Sequence, residues 1–377
     1  MKKVIEDVVI IGGGPAGAYL GYLLGKNGMR PLIFDYSHPR EKPCGGGISV
    51  LAIEKFPILS EIPDPKEPSN DLELISAKGI SVMTFGEKDS WTLSRKKMDK
   101  FILDKSIEAG VKLIEEQVID INQVDNIWHI KTKKGEYKSK IIIGADGVDS
   151  IVRKKILGPI PQKDLGICYG CFAVSDKKEQ SCIKFLENKQ GYAWCFPGHD
   201  HLSIGIGVES SNKKDVKKIF NDFLSTYYPN INIQSNWGAK IPNIKNQDFY
   251  DLPCAGEDWI LIGDAAGHVD SITGEGITYA LWSAELASKA ILNNNPKSFD
   301  ELWRKEYGDI LLENCKMRST FYNPHLLELS MKIATKSETL SKILNERITN
   351  QFPQHELMKR LIWNLPVIIK EYVYSKL

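Results

Sequence analysis

The chain has 377 residues, with 49 Lys and Arg against 48 Asp and Glu and a formal net charge of +1. That length suits two or three domains with a core large enough to enclose a ligand. The balanced charge, with 26% charged and 42% hydrophobic residues, excludes disorder, collagen-like repeats and a nucleic-acid binder that lives on excess basic charge. No apolar run approaches the ~20 residues that span a bilayer. Met1-Lys2-Lys3 leads into acids at Glu6 and Asp7 rather than an export signal, and the seven scattered cysteines read as cytoplasmic thiols.

Val8-Val9-Ile10-Ile11 is an apolar, β-branched run of the kind a buried parallel strand needs. Gly12-Gly13-Gly14-Pro15-Ala16-Gly17 follows, then a helical pattern through Tyr19, Leu20, Leu23 and Leu24 that Gly28 ends. Leu32-Ile33-Phe34 is a second strand, closed by Asp35. Strand, glycine turn, helix, strand and acid stand in register with the dinucleotide-binding fingerprint. Gly12 permits the tight turn, Gly14 lets the backbone approach a pyrophosphate and Gly17 lets the helix pack on the strand, while Asp35 can accept from a ribose diol. A glycine turn without a ligand is the plainer alternative, and the complete unit argues against it.

A second string favours a flavin over a nicotinamide as the tightly held dinucleotide. Thr92-Leu93-Ser94-Arg95 leads into an amphipathic helix with Met98, Phe101, Ile102 and Ile107, ending near Gly110. Val111-Lys112-Leu113-Ile114 and Gln117-Val118-Ile119 are strand pieces, and residues 127–132 form half of a hairpin that turns at Lys134-Gly135-Glu136. Ile141-Ile142-Ile143-Gly144-Ala145-Asp146-Gly147 is another buried strand with a polar exit, followed by Ser150 and Arg153.

The third string begins with a strand, Trp259-Ile260-Leu261-Ile262, and its exit turn Gly263-Asp264-Ala265-Ala266-Gly267. Thr273-Gly274-Glu275-Gly276 then opens a helix from Ile277 to about Leu292, with Ala280, Ala284 and Ala287 suited to close packing. Asp264 can bind a ribityl or ribose hydroxyl, and the N–H groups at Gly274, Gly276 and Ile277 can face an electron-rich ring edge. From Pro296 onward the pattern is helical. Leu357–Leu377 interleaves basic and large apolar side chains, which suits either a membrane surface or the cap of a core, and Pro366 is expected to break it.

Taken in order, these three strings resemble the FAD-dependent oxidoreductases of the para-hydroxybenzoate hydroxylase fold over roughly residues 4–292. The resemblance implies an α/β chain: a Rossmann-type FAD-binding domain, a mixed-sheet α+β substrate domain and a helical C-terminal tail. It assigns residues 1–60, 92–156 and 255–293 to a discontinuous FAD-binding domain, 61–91 and 157–254 to the substrate-binding domain, and 294–377 to the tail. It further implies that Gly12, Gly14, Ala16 and Gly17 meet the pyrophosphate and Asp35 the adenosine ribose. Arg95 would reach the phosphates, Val118 would offer its backbone to adenine, Asp264 would hold the ribityl–phosphate side, and Gly276 and Ile277 would lie under the isoalloxazine.

Two more motifs, Lys42-Pro43-Cys44-Gly45-Gly46-Gly47 and Tyr192-Ala193-Trp194-Cys195-Phe196-Pro197, resemble the geranylgeranyl reductase family, which hydrogenates isoprenoid double bonds. The resemblance implies that the Cys44, Gly45 and Gly46 loop lies beside the flavin and that Tyr192, Trp194, Phe196 and Pro197 line the substrate cavity. Thr273–Ile277 fits the family pattern, while Ser271 stands where the family usually has proline. The implied activity is FAD-dependent reduction of a prenyl lipid or other long apolar molecule. The same fold also serves flavin-dependent monooxygenases and halogenase-like enzymes, and, in another class, electron-transfer flavoproteins.

Reduction of an isolated alkene needs a proton beside the hydride, and Cys44 is the candidate donor because a thiol is nearer the required acidity than a hydroxyl. Its alternative is a small packing residue. Tyr192, Trp194 and Phe196 alternate on one strand face, as a cavity lining or as sheet core. With no second glycine fingerprint, the reductant must dock transiently, as NAD(P)H or a ferredoxin-type protein. No metal is expected: Cys168-Tyr169-Gly170-Cys171 has neither a second CxxC nor paired histidines to complete it. His199 and His201 are expected at the surface, and His268 near the flavin. A cytoplasmic protein with peripheral contact at the inner membrane face would give a lipid substrate its route in.

Overall fold

The computed structural model describes residues 4–63, 66–212, 214–349, 352 and 354–375; the basic start and the last two residues of the tail segment lie outside this set. The strands β1 (Ile5–Ile11), β2 (Leu32–Phe34), β3 (Gly47–Ile48), β4 (Glu67–Ile75) and β5 (Ser81–Thr92) come first. Next are β6 (Lys112–Ile114), β7 (Val118–Val124), β8 (Ile127–Thr132) and β9 (Glu136–Gly144). The remainder are β10 (Leu165–Val174), β11 (Cys182–Phe185), β12 (Gly191–Pro197), β13 (Leu202–Glu209), β14 (Asn232–Pro242) and β15 (Trp259–Leu261). The chain divides into two compact units, each made of three segments.

The first unit comprises Met1–Glu41, Arg95–Asp164 and Pro242–Leu312. Its sheet runs β6-β2-β1-β9-β8-β7. β1 lies parallel to β2 and β9, and β2 parallel to β6. Val8, Val9 and Ile10 are almost wholly buried, as expected where a strand is covered on both faces. β9 forks: Glu136–Ser139 pairs antiparallel with β8, while Ile142–Gly144 pairs parallel with β15. That fork carries the late segment at Gly263 back to the first glycine turn. The helix Pro15–Lys26 packs against both Arg95–Glu108 and Ile277–Leu292.

The second unit comprises Lys42–Ser94, Leu165–Ile241 and Glu313–Leu377. Its sheet runs β14-β10-β13-β12-β11-β4-β5-β3, antiparallel except for the parallel β11–β4 pair among the pairings described. One face buries Cys171, Ala193, Cys195, Ile204 and Ile206 under Phe220 and Phe223 of the helix Val216–Tyr227. The opposite face is aromatic: Trp194, Trp237 and Cys168 are buried there, with Phe172, Tyr192 and Phe196 packed on them.

The unit boundaries differ from the division expected from sequence. Residues 42–60 join the second unit because β3, only two residues long, hydrogen-bonds to β5. Residues 313–375 form no separate region. Asn345, in the helix Glu338–Ile348, donates from Nδ2 to Oγ1 and O of Thr84 on β5 at 3.0 and 3.3 Å. Glu328 accepts from Ser76 Oγ and Lys78 N, both at 2.9 Å. Pro366 does not break the tail segment: the helix Gln354–Tyr374 continues through it. Proline there removes one N–H, but Ile362 and Pro366 are exposed, so water can serve the released carbonyl.

Candidate active site

In the first unit the three strings converge. Gly12 has φ +103°, and a Cβ there would lie 2.3 Å from Ala145 O; a Cβ on Gly17 would lie 1.9 Å from Gly12 O. Strand, turn and helix are therefore in backbone contact, an approach that only glycine allows. Gly14 differs, because a Cβ there would meet no atom within 4 Å. It is the N-cap of the helix Pro15–Lys26 and provides no side-chain cap. Gly276 is likewise an N-cap without a side-chain hydrogen bond, at the start of Ile277–Leu292. A Cβ on Gly263 would lie 3.3 Å from the Ala16 Cβ and 3.4 Å from the Ala280 Cβ, and one on Gly276 would lie 3.2 Å from Asp264 Oδ1. Gly17, Ala16, Gly263, Asp264 and Gly276 thus form one cradle between two helix starts whose first N–H groups no side chain caps.

Asp35 closes β2 beside that turn. Its Oδ2 accepts from Gly13 N and its Oδ1 from Ser37 N, both at 2.8 Å. Burial works to raise its pKa, yet His38 and these hydrogen bonds hold it below the ordinary carboxylate value. Ser37 Oγ also donates to Oδ1 at 2.7 Å and His38 Nε2 lies 3.5 Å from Oδ2, so a carboxylate with about four acceptor sites is held in one orientation at the end of β2. Asp35 N donates to Ile114 O, four residues ahead of Val118, which opens β7. Arg95 is buried, and its guanidinium forks onto Asp99 with two bonds of 2.8 Å. Arg153 is buried as well and donates from Nη1 to Ala265 O at 3.3 Å, tying the second string to the third. The loop after Asp264 closes on Asp270: Gly274 N donates to its backbone O at 2.8 Å, and Ile272 N to its Oδ1 at 2.7 Å. Asp270, which the sequence reading passed over, therefore shapes the turn that carries Ser271.

His268 is fully buried beneath the third turn: Nδ1 lies 2.9 Å from Tyr307 Oη, and Nε2 lies 3.6 Å from Cys254 Sγ. Burial pushes its pKa down to about 3 and that of Cys254 up to about 12. The ring is a neutral core group under the third turn. Only the position of Tyr307 and Cys254 in space reveals this, since both are far from His268 in sequence.

The second unit brings its two motifs together. Gly46 has φ +73°, and a Cβ there would lie 2.5 Å from Leu93 O, whose own N–H donates to Gly46 O. A Cβ on Gly45 would lie 2.8 Å from Phe196 and 3.3 Å from Trp194 Nε1. Ser203 Oγ donates to Cys44 O at 2.8 Å, and Trp194 Nε1 donates to Ser203 Oγ at 3.4 Å. The Cys44 loop therefore lies on the aromatic face. There Trp194 stacks with Phe196 and Trp237 at centroid separations of 6.4 and 6.0 Å, and Tyr192 stands 5.9 Å from Trp194. Cys44 is half-exposed, and its Sγ accepts from Gly46 N at 3.4 Å. Pro197 is half-buried at the end of β12. Cys168 and Cys171 lie on opposite faces of the sheet, so that pair cannot share an ion. His201 is half-buried, edge-on to Phe172 at 4.7 Å, whereas His199 is exposed; Phe172 was the unseen partner.

A Rossmann half completed by a late strand and helix, with a second mixed sheet, defines an FAD-binding oxidoreductase fold of the para-hydroxybenzoate hydroxylase kind. Open space above Gly14 and two uncapped helix starts fit the dinucleotide. Residues 164–239 match the profile of the geranylgeranyl reductase catalytic domain. An uncharacterized protein of Methanosarcina barkeri is 32% identical over 305 residues, 77% of this chain and 75% of its own length. Digeranylgeranylglycerophospholipid reductase 1 of Methanococcoides burtonii is 27% identical, over 98% of this chain and 97% of its own. A geranylgeranyl bacteriochlorophyll reductase-like structure from Thermoplasma acidophilum superimposes with a TM-score of 0.77 at 18% identity, covering 95% of this chain and 98% of its own. This chain belongs to the geranylgeranyl reductase family of FAD-dependent oxidoreductases.

Proposed function

We propose that the chain hydrogenates C=C bonds of a prenyl or other long apolar substrate. The observation that supports this most is the aromatic face of the second unit, on which the Cys44 loop and the Tyr192–Pro197 strand meet. FAD, when bound, supplies the hydride. In this reading the N–H groups of Gly14, Ala16 and Gly17 hold the pyrophosphate against the helix start, with Gly12 shaping the turn. Asp35 takes the adenosine ribose, the Val118 backbone takes adenine, and Arg95, oriented by Asp99, stands on the phosphate side. Asp264 takes the ribityl hydroxyls, and the backbone at Gly274, Gly276 and Ile277 takes the ring edge.

Tyr192, Trp194 and Phe196, ending at Pro197, hold the apolar chain and exclude water, which an unpolarised double bond requires. The backbone of Gly45 and Gly46 keeps the loop low over these rings. Cys44 gives its thiol proton to the carbon beside the one that receives hydride and regains it from water at its exposed side. Electrons arrive from NAD(P)H or a ferredoxin-type protein that docks transiently.

The reading is tested by reducing the flavin-loaded protein with dithionite and mixing it anaerobically with a geranylgeranyl lipid. The product gains about two mass units per double bond reduced. An unchanged substrate sinks the proposal, and incorporation of oxygen on admitting air moves the assignment to a monooxygenase.

A further inference from the structure

The helix Gln354–Tyr374 is turned the opposite way from an ordinary surface helix. Its packed side is polar: Arg360 bonds Glu346 at 3.0 Å and lies over Phe352, Glu371 accepts from Thr339 Oγ1 at 2.9 Å and from Ser337, and only Ile368 is buried among its described side chains. Its outward side is apolar. Met358, Ile362, Leu365, Ile369 and Val373 follow the i, i+4, i+7, i+11, i+15 spacing of one helical face, and all are at least half exposed. Trp363 beside them is 85% exposed. A soluble helix normally turns such a stripe inward, since each large side chain moved out of water is worth roughly 1.5–3 kcal/mol. This unit instead holds the stripe outward with ion pairs and hydrogen bonds.

We propose that this face is a docking surface for an anionic lipid bilayer, with the helix lying in the interface plane. Charge decides the occupant. Lys359 and Lys370 are exposed and flank the stripe on one side. The helix's described carboxylates are engaged elsewhere, Glu356 with Arg360 and Glu371 with Ser337 and Thr339. Lipid phosphates supply the counter-charge, whereas the same helix of a second copy brings the same two lysines and carboxylates already engaged. Trp363 and Tyr374, both exposed, are the side chains that interfaces favour. No described helix is long and apolar enough to cross a membrane, so the contact is peripheral. This inference stands on the second unit alone and does not depend on the substrate.

The test is flotation of the full-length protein with vesicles of phosphatidylcholine containing phosphatidylglycerol, without substrate or reductant. The wild-type chain floats, and Ile362→Glu with Ile369→Glu lowers the bound fraction by about tenfold or more. Lys359→Glu with Lys370→Glu removes the preference for phosphatidylglycerol and its salt sensitivity while leaving part of the apolar binding. All four positions are exposed, so thermal melting should match wild type and serves as the folding control. A wild-type chain that stays with the soluble fraction, or an Ile362→Glu, Ile369→Glu variant that floats like wild type, overturns the proposal. A dimer in sedimentation that this apolar variant dissolves, with no flotation, assigns the face to a second copy instead.

Discussion

Gly12–Gly17 in the first unit and Cys44–Gly47 in the second are both glycine-rich turns, and both hold glycines that a larger residue could not replace without movement. What lies over them differs. Above Gly14 is open space at an uncapped helix start, while above Gly45 lies Phe196 and above Gly46 the carbonyl of Leu93. The first turn keeps its N–H groups for a ligand. The second turns Gly45 and Gly46 to the protein's own sheet, and in the proposed reading Cys44 is its group with chemistry. A run of glycines in a sequence therefore says that backbone comes close to something, and only the neighbours say to what.

The sharpest way to break this comparison is Gly17→Ala, which puts a Cβ 1.9 Å from Gly12 O. Flavin per chain should fall below about one-tenth of wild type, read from visible absorbance after purification, since helix and turn must part. A fully yellow variant would show that the nucleotide sits elsewhere. In the second turn, Cys44→Ala should lower turnover by about a hundredfold while flavin content stays level, the size typical of a lost general acid. Turnover that holds would reduce the thiol to packing. Gly45→Ala brings a Cβ to 2.8 Å from Phe196 and should cost about 1–3 kcal/mol in urea unfolding, with much of that restored by adding Phe196→Leu. If the single variant unfolds like wild type, the loop does not lie on that ring in solution.

The smallest effect belongs to His268 beneath the third turn. Its pKa is near 3 when folded against 6.5 when exposed, so between those values the unfolded chain binds the extra proton and stability falls as pH falls. From pH 6.5 to 5 the loss attributable to this ring is about 1.5 kcal/mol. Denaturation of His268→Gln across that range should be flatter by this amount, and parallel curves would mean the imidazole is not buried.

The first forty residues were readable because each signal there is local: a β-branched run, a glycine turn, a 3.6-residue period, a closing acid. The same holds for Ile277–Leu292. The fork in β9 was not readable, because pairing with β15 depends on residues more than a hundred positions away. β3 escaped notice because two residues carry no periodicity. Its pairing nevertheless takes residues 42–60 into the second unit. The tail was legible as helix, but periodicity names a stripe without saying which way it faces, so its outward turn emerged only from the contacts of Arg360 and Glu371. The partners of His268 were hidden for a related reason: closeness in sequence to Asp264 does not show that its ring meets Tyr307 and Cys254. How Arg95 is engaged was hidden too, since i, i+4 spacing to Asp99 is an ordinary helical pairing until both partners are seen to be buried.

Each unit is assembled from three stretches of chain, and the polypeptide passes between them after Glu41, Ser94, Asp164, Ile241 and Leu312. During synthesis neither half can close before the other is largely made, because the first awaits Pro242–Leu312 and the second awaits helices beyond Glu313. No single scissor cut yields an autonomous fragment. The two halves are therefore built side by side, and the second is closed only when the helices after Glu313 have packed on β5.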